Sequence, residues 1–199
     1  MSVTAKDVKE LRDRTGAGMM DCKRALEETE GDMEAAVDLL RSRGEAKAAK
    51  RAGKSANEGT IGSYVHHGGR IAVVVEVNCE TDFVANTDEF QGLARDLAMH
   101  IAAANPLAVS EEDIPEEAVE RERQVYLEQV RNEGKPEHIQ EKIVEGKLRK
   151  FFEETSLMKQ PFVKEPDVTI EELVTRVSAK TGEKIRISRF ARFEVGDLD

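Results

Sequence analysis

The chain has 199 residues, 40 of them acidic and 30 basic, for a formal net charge of −10 at pH 7. An acidic chain without a basic stripe binds phosphate backbones poorly, so no direct nucleic-acid partner is expected. No apolar run approaches the ~20 residues that span a bilayer, and the N-terminus lacks the basic-then-apolar layout of a secretion signal; the chain reads as cytoplasmic, with no membrane partner.

Thr4 predicts the cap of a first helix, with Asp7 three positions on as its capping-box partner. Val8 and Leu11 are its inward stripe, and Thr15-Gly16-Ala17-Gly18 ends it. Met19 to Glu30 predicts a second helix with Ala25 and Leu26 inward, stopped by Gly31. Asp32 caps a third, with the stripe Met33, Ala36, Val37 and Leu40, and Gly44 is expected to stop it. Three short helices make a small bundle with a thin core, suited to docking. Glu45–Ser55, rich in Ala, Lys and Arg, follows as a helical or flexible linker. Met19 and Met20 open the second helix. The favoured reading makes both core gap-fillers; the alternative exposes at least one as an adaptable apolar contact for a partner.

Thr60–Val65 alternates like a half-buried strand, His66-His67-Gly68-Gly69 is a turn, and Arg70–Cys79 is a Val- and Ile-rich strand, so the two form a hairpin. Glu80-Thr81-Asp82-Phe83-Val84-Ala85-Asn86 leads into a helix from about Thr87 to Asn105, whose broad apolar face is Phe90, Leu93, Ala94, Leu97, Ala98 and Ile101. In the simpler reading of Thr81-Asp82-Phe83, one of the first two is a local cap and Phe83 is core. In the other, an acidic group and an aromatic wedge stand on a loop tip held by rigid elements.

Glu116–Glu133 and Glu137–Glu154 are two charged helices joined by Gly134-Lys135-Pro136, an antiparallel helical hairpin projecting into water. Its stripes are Val119, Tyr126 and Val130 on one helix and Ile139, Ile143, Val144, Leu148 and Phe151 on the other. Val168–Lys180 is a last helix, stopped by Gly182, and Lys184–Val195 a last strand with a phase slip near Arg189-Phe190 that suggests a bulge. Hairpin, helix and late strand make an α+β layer. Residues 56–110 and 111–158 carry net charges of −5 and −6 while the flanking segments 1–55 and 159–199 are near neutral. These shifts set four expected segments: the three-helix unit and linker (1–55), the first part of a core (56–110), the helical hairpin (111–158) and the completion of the core (159–199).

Cys22 and Cys79 make no disulfide scaffold, and His66, His67, His100 and His138 sit in no metal-ligating repeat. No Gly-rich loop followed by Lys-Ser/Thr cradles a phosphate, and no nucleophile elbow occurs. No cofactor, no metal and no catalysis are expected; binding is the default.

Two stretches carry a resemblance. Leu11-Arg12-Asp13-Arg14-Thr15-Gly16-Ala17-Gly18-Met19-Met20-Asp21-Cys22-Lys23-Arg24-Ala25-Leu26 and Glu76-Val77-Asn78-Cys79-Glu80-Thr81-Asp82-Phe83-Val84-Ala85-Asn86 resemble the two signatures of the bacterial elongation factor Ts family. Gln160-Pro161-Phe162-Val163 and Arg192-Phe193-Glu194-Val195-Gly196 resemble its segments after the hairpin and at the closing strand. The resemblance implies a guanine-nucleotide exchange factor for elongation factor Tu, binding its GDP-bound and nucleotide-free forms. It also implies an N-terminal domain of the ubiquitin-associated type, a small antiparallel sheet packed with helices, and a coiled-coil hairpin. By matching positions, Met19, Met20 and Lys23 contact the GTPase domain, Asp82 and Phe83 enter it beside its magnesium site, and Thr81 and Val84 belong to the same partner-binding set. Val163 touches the same domain, and His66 or His67 supplies a further contact. Longer members carry two copies of the core half, whereas this chain has one merged copy, so a homodimer is expected. The competing expectation is an adaptor with a ubiquitin-associated-like docking module and no exchange activity.

Overall fold

The computed structural model describes residues 3–51 and 53–197, so Ala52 of the expected linker lies outside the described residues. The chain forms α1 (Ala5–Thr15), α2 (Met19–Glu28), α3 (Met33–Arg51), β1 (Glu58–Val65), β2 (Ile71–Cys79), α4 (Asp82–Ala85), α5 (Asp88–Ala104), α6 (Glu116–Asn132), α7 (Glu137–Thr155), β3 (Pro161–Phe162), β4 (Glu165–Thr169), α8 (Ile170–Thr181) and β5 (Arg186–Glu194). It is an α+β fold. One sheet has the order β1-β2-β5, and β3 pairs with β4 in a second. The chain divides into two compact units. One combines the N-terminal stretch through Gly62 with Glu76–Asp96 and Glu172–Ser188; the other combines Ser63–Val75, Leu97–Glu171 and the stretch from Arg189 onward.

In the first unit, Thr4 and Asp7 form the expected capping box, with the Thr4 amide donating to Asp7 Oδ2 at 2.9 Å and the Asp7 amide to Thr4 Oγ1 at 3.3 Å. These hydrogen bonds stabilise the carboxylate and hold the Asp7 pKa below its usual value. Gly16, at φ +69°, closes α1 by donating to the Arg12 carbonyl at 2.8 Å. Val8, Leu11, Cys22, Ala25, Leu26 and Ala36 are the buried core of this bundle, with Met33, Val37 and Leu40 packed on it.

Gly44 does not stop the third helix. α3 runs on for another seven residues to Arg51. Ala, Lys, Arg and Glu are good helix formers, and nothing after Gly44 interrupts them before that point. The helix is also fastened on both sides of Gly44. Arg41 pairs with Glu172, Gly44 is buried against Ala179 of α8, and Arg51 Nη1 donates to Glu80 Oε1 at 2.7 Å.

Gly62 lies where β1 passes α5: a Cβ there would sit well inside the contact distance of the Ala94 carbonyl oxygen. All six residues of the expected apolar face, Phe90, Leu93, Ala94, Leu97, Ala98 and Ile101, are buried. Along β5 the burial alternation is lost beyond Ser188, at the expected slip.

In the second unit, α6 and α7 pack through Val130, Val144 and Leu148, with Val119, Tyr126, Leu127 and Ile143 around them. Lys147 Nζ lies 5.5 Å from the centroid of the Tyr126 ring. The base of this helical hairpin is stitched by backbone bonds: Leu107 N–H to Thr155 O at 2.8 Å, Leu157 N–H to Ala108 O at 2.9 Å and Met158 N–H to Val109 O at 3.0 Å. β3 and β4 were not expected from the sequence. They are antiparallel, pairing Pro161 with Thr169 and Phe162 with Glu165, with an irregularity between the two pairs.

Candidate functional site

Thr81 is the N-cap of α4, a single turn that begins at Asp82, with two residues between it and the end of β2. Its hydroxyl accepts from the Val84 amide at 3.4 Å, so the expectation of a local cap holds. The companion expectation, that Phe83 is core, does not. Phe83 is 83% exposed, the highest exposure among the large apolar side chains of the described residues. One turn of helix turns only one side inward, and Ala85 occupies that side. Asp82 is exposed beside Phe83, and Val84 is half-buried.

The turn under this tip is held from several directions. Glu183, in the segment after α8, accepts the Glu80 amide at 3.1 Å and the Thr81 amide at 3.0 Å on Oε2, and the Thr81 hydroxyl at 2.6 Å on Oε1. The Glu80 carboxylate in turn accepts the Lys184 amide at 2.7 Å and the Arg51 guanidinium. The Lys184 N–H first and then Arg51 hold its pKa below the usual value. The buried Cys79 thiol donates to the Thr81 carbonyl at 3.1 Å. Burial raises the pKa of that thiol, and the Glu183 carboxylate adds to the effect, so it stays protonated and able to donate.

Met19 and Met20 open α2 at 58% and 64% exposure, which overturns the favoured reading of both as core. Gly18 provides no side-chain cap, and the buried face of α2 is taken by Cys22, Ala25 and Leu26, which leaves the first two positions outside the packed stripe. Lys23 is exposed next to them and pairs with Glu27 at 3.6 Å, a contact of the kind that contributes little in water. The first unit thus carries Met19, Met20 and Lys23 on one helix and Thr81, Asp82, Phe83 and Val84 on another.

The second unit carries the remaining candidates. His66 and His67 are exposed in the β1–β2 turn, where the His66 N–H donates to Ile71 O at 2.8 Å and Nδ1 lies 3.0 Å from the Tyr64 hydroxyl. Val163 follows β3, 42% exposed, and its N–H donates to Nδ1 of the buried His100 at 3.4 Å.

Among the described residues, no group of three or more His, Cys, Asp or Glu side chains could hold a metal ion. No helix of the described residues is long and apolar enough to cross a membrane. An open groove in the second unit is lined by Lys150 and Lys159 together with Glu153 and Glu154, charges that oppose one another rather than converge on one ligand. Met19, Met20, Lys23, His66, His67, Asp82, Phe83 and Val163 are exposed, while Thr81 and Val84 are half-buried.

The Elongation factor TS family matches residues 6–197 of this chain. Elongation factor Ts of Carboxydothermus hydrogenoformans is 59% identical over 195 residues, covering 98% of this chain and 90% of that protein. Its counterpart in Desulfotalea psychrophila is 59% identical over 196 residues, 98% of this chain and 100% of the relative. That of Syntrophus aciditrophicus is 56% identical over 197 residues, 99% and 98% of the two chains. With the match running almost from end to end, this chain belongs to the elongation factor Ts family of translation elongation.

Proposed function

We propose that the chain is a guanine-nucleotide exchange factor for elongation factor Tu. It binds the GDP form, promotes loss of GDP and Mg²⁺, and holds the emptied GTPase until GTP arrives. The carrying observation is Phe83, an aromatic side chain 83% exposed on a one-turn helix whose base is tied down by hydrogen bonds. Leaving such a ring in water has a cost of about 1.5–3 kcal/mol relative to burial, and a cleft in a partner recovers it. If that cleft opens fully only in the nucleotide-free GTPase, linkage requires that GDP be weakened by the same factor, tenfold for every ~1.4 kcal/mol.

In this account Phe83 is the wedge, and the exposed Asp82 carboxylate beside it disturbs the magnesium side of the nucleotide site. Thr81 and Val84 set the tip. Met19, Met20 and Lys23 anchor the docking module, with Val163 and one of His66 and His67 as further contacts. The segments 1–55, 56–110 with 159–199, and 111–158 serve as docking module, core and hairpin. The protein works in the cytoplasm on a protein partner, without nucleic acid, membrane, cofactor or bond-making chemistry of its own.

The working form is a homodimer. The hydrogen bond from His66 to Ile71 puts Val65 opposite Ala72 and Ser63 opposite Val74, so Val65 and Val74 share a sheet face, and both are exposed. Phe193 and Val195 at the end of the chain are exposed as well. A second copy is the partner we assign to this apolar surface. Sedimentation at micromolar concentration tests it: a lone particle of 22.2 kDa refutes the dimer.

The exchange test is stopped-flow release of a fluorescent GDP analogue from elongation factor Tu, with wild type and Phe83→Ala. Wild type accelerates release. Phe83→Ala, removing an exposed side chain, keeps its melting temperature and slows release at least tenfold. Equal affinity of wild type for the GDP-bound and emptied GTPase sinks the reading and leaves an adaptor.

A further inference from the structure

The Thr81–Val84 tip has too little structure of its own to stand. A four-residue helix forms at most one turn, and nucleating a turn is unfavourable in isolation. The first amides of a helix also lack partners inside it. Here the capping residue and the one before it are held from a segment 102 positions away in the chain. Glu183 Oε2 accepts two successive amides, those of Glu80 and Thr81, and Oε1 accepts the Thr81 hydroxyl proton. With its proton committed to Glu183, the Thr81 oxygen turns its lone pairs to the Val84 N–H, which is the capping bond itself. The arrangement is reciprocal, because Glu80, the residue before Thr81, accepts the amide of Lys184, the residue after Glu183. Glu183 is fixed in its turn: Gly182 stands at φ +74° and donates to Ser178 O at 2.9 Å, and the buried Ser178 hydroxyl donates to the Glu183 carbonyl at 2.6 Å.

We propose that Glu183 is a positioning residue for nucleotide exchange, a carboxylate lock that sets the angle at which Phe83 and Asp82 leave the end of β2. The lock rests on the reading of Phe83 as the wedge. Its contribution is preorganisation: a tip already ordered before encounter spends none of its contact energy on ordering. Charge supports it too, since hydrogen bonds to an ionised carboxylate are charge-assisted. Glu183 does not touch the partner; it acts through Thr81.

The test uses the full chain as wild type, Glu183→Ala, Glu183→Gln and Phe83→Ala. Release of the fluorescent GDP analogue from elongation factor Tu is followed against chain concentration, and hydrogen exchange of the Glu80 and Thr81 amides is measured without partner. Glu183→Ala is expected to lower the maximal release rate about tenfold while the half-saturating concentration moves less than twofold. The Glu80 and Thr81 amides should exchange at least tenfold faster. Glu183→Gln, whose side-chain oxygen still accepts both amides, should recover most of the rate and protection. A wild-type maximal rate for Glu183→Ala beside a slow Phe83→Ala overturns the lock and spares the wedge. So does a fall in melting temperature that lowers the rate and raises the half-saturating concentration together without rescue by Gln, the mark of a merely structural residue. A normal rate for Phe83→Ala overturns the wedge; amide exchange then decides the lock, which falls if protection at Glu80 and Thr81 is unchanged in Glu183→Ala.

Discussion

His100 Nε2 lies 2.9 Å from the side-chain oxygen of Gln160, and that contact assigns the ring its protonation state. Nε2 donates to Gln160 while Nδ1 accepts from the Val163 N–H, so the buried imidazole is neutral. Burial lowers its pKa from the model-peptide value of 6.5, against the Gln160 bond, which pulls the other way. Below that value the unfolded chain takes up a proton that the folded ring resists, so stability falls as pH drops through this window. Urea midpoints at pH 7.5 and 5.5 should fall for the wild type, and fall less for His100→Gln. Parallel losses in the two proteins would refute the assignment.

Gly44 lies inside α3, and a Cβ there would stand 3.5 Å from the Ala179 Cβ, an ordinary contact. Gly44→Ala should therefore stabilise the protein by about 0.5–1 kcal/mol, the backbone entropy that glycine forfeits in a helix. Chemical denaturation measures it, and a lower midpoint than wild type would show that the site has no room.

Gly62 is the opposite case. Any side chain there meets the Ala94 carbonyl, part of a helix backbone that cannot yield cheaply. Gly62→Ala should cost about 3 kcal/mol, at the upper end for overpacking, and should be visible as a lower midpoint in the same titration.

Met19 and Met20 should separate docking from exchange. Replacing both by Ser leaves the core of the helix bundle untouched, so stability should change by no more than about 0.5 kcal/mol. The half-saturating concentration in the GDP-release assay should rise at least tenfold with the maximal rate unchanged, the reverse of the Glu183→Ala pattern. An unchanged half-saturating concentration would remove the methionines from the interface.

Local signals in the sequence were reliable where the structure is itself local. Thr4 with Asp7, Gly16 at the end of α1, and the 3.6-residue stripe of α5 are all short-range devices, and each is found in place. Errors came where tertiary contacts decide. Gly44 after an apolar stripe has the pattern of a helix stop, yet Arg41–Glu172, Ala179 and Arg51–Glu80 carry α3 past it. β3 has two residues, too few to show alternation, and Pro166 stands inside β4. Phe83 follows a cap as a core residue would, and its exposure arises only because the helix ends after one turn. Glu183 gave no signal at all, because its partners Glu80 and Thr81 lie over a hundred positions away.

The extension of α3 has one more consequence. At about 1.5 Å per residue, its 19 residues form a rod of about 28 Å with Arg51 at its far end, gripping Glu80. A composition of Ala, Lys and Arg suggests a spacer indifferent to its length. In a helix, inserting or deleting one residue after Gly44 rotates everything beyond it by about 100° and swings the guanidinium away from its carboxylate. The stretch is a phased shaft, whose residue number sets whether Arg51 meets Glu80.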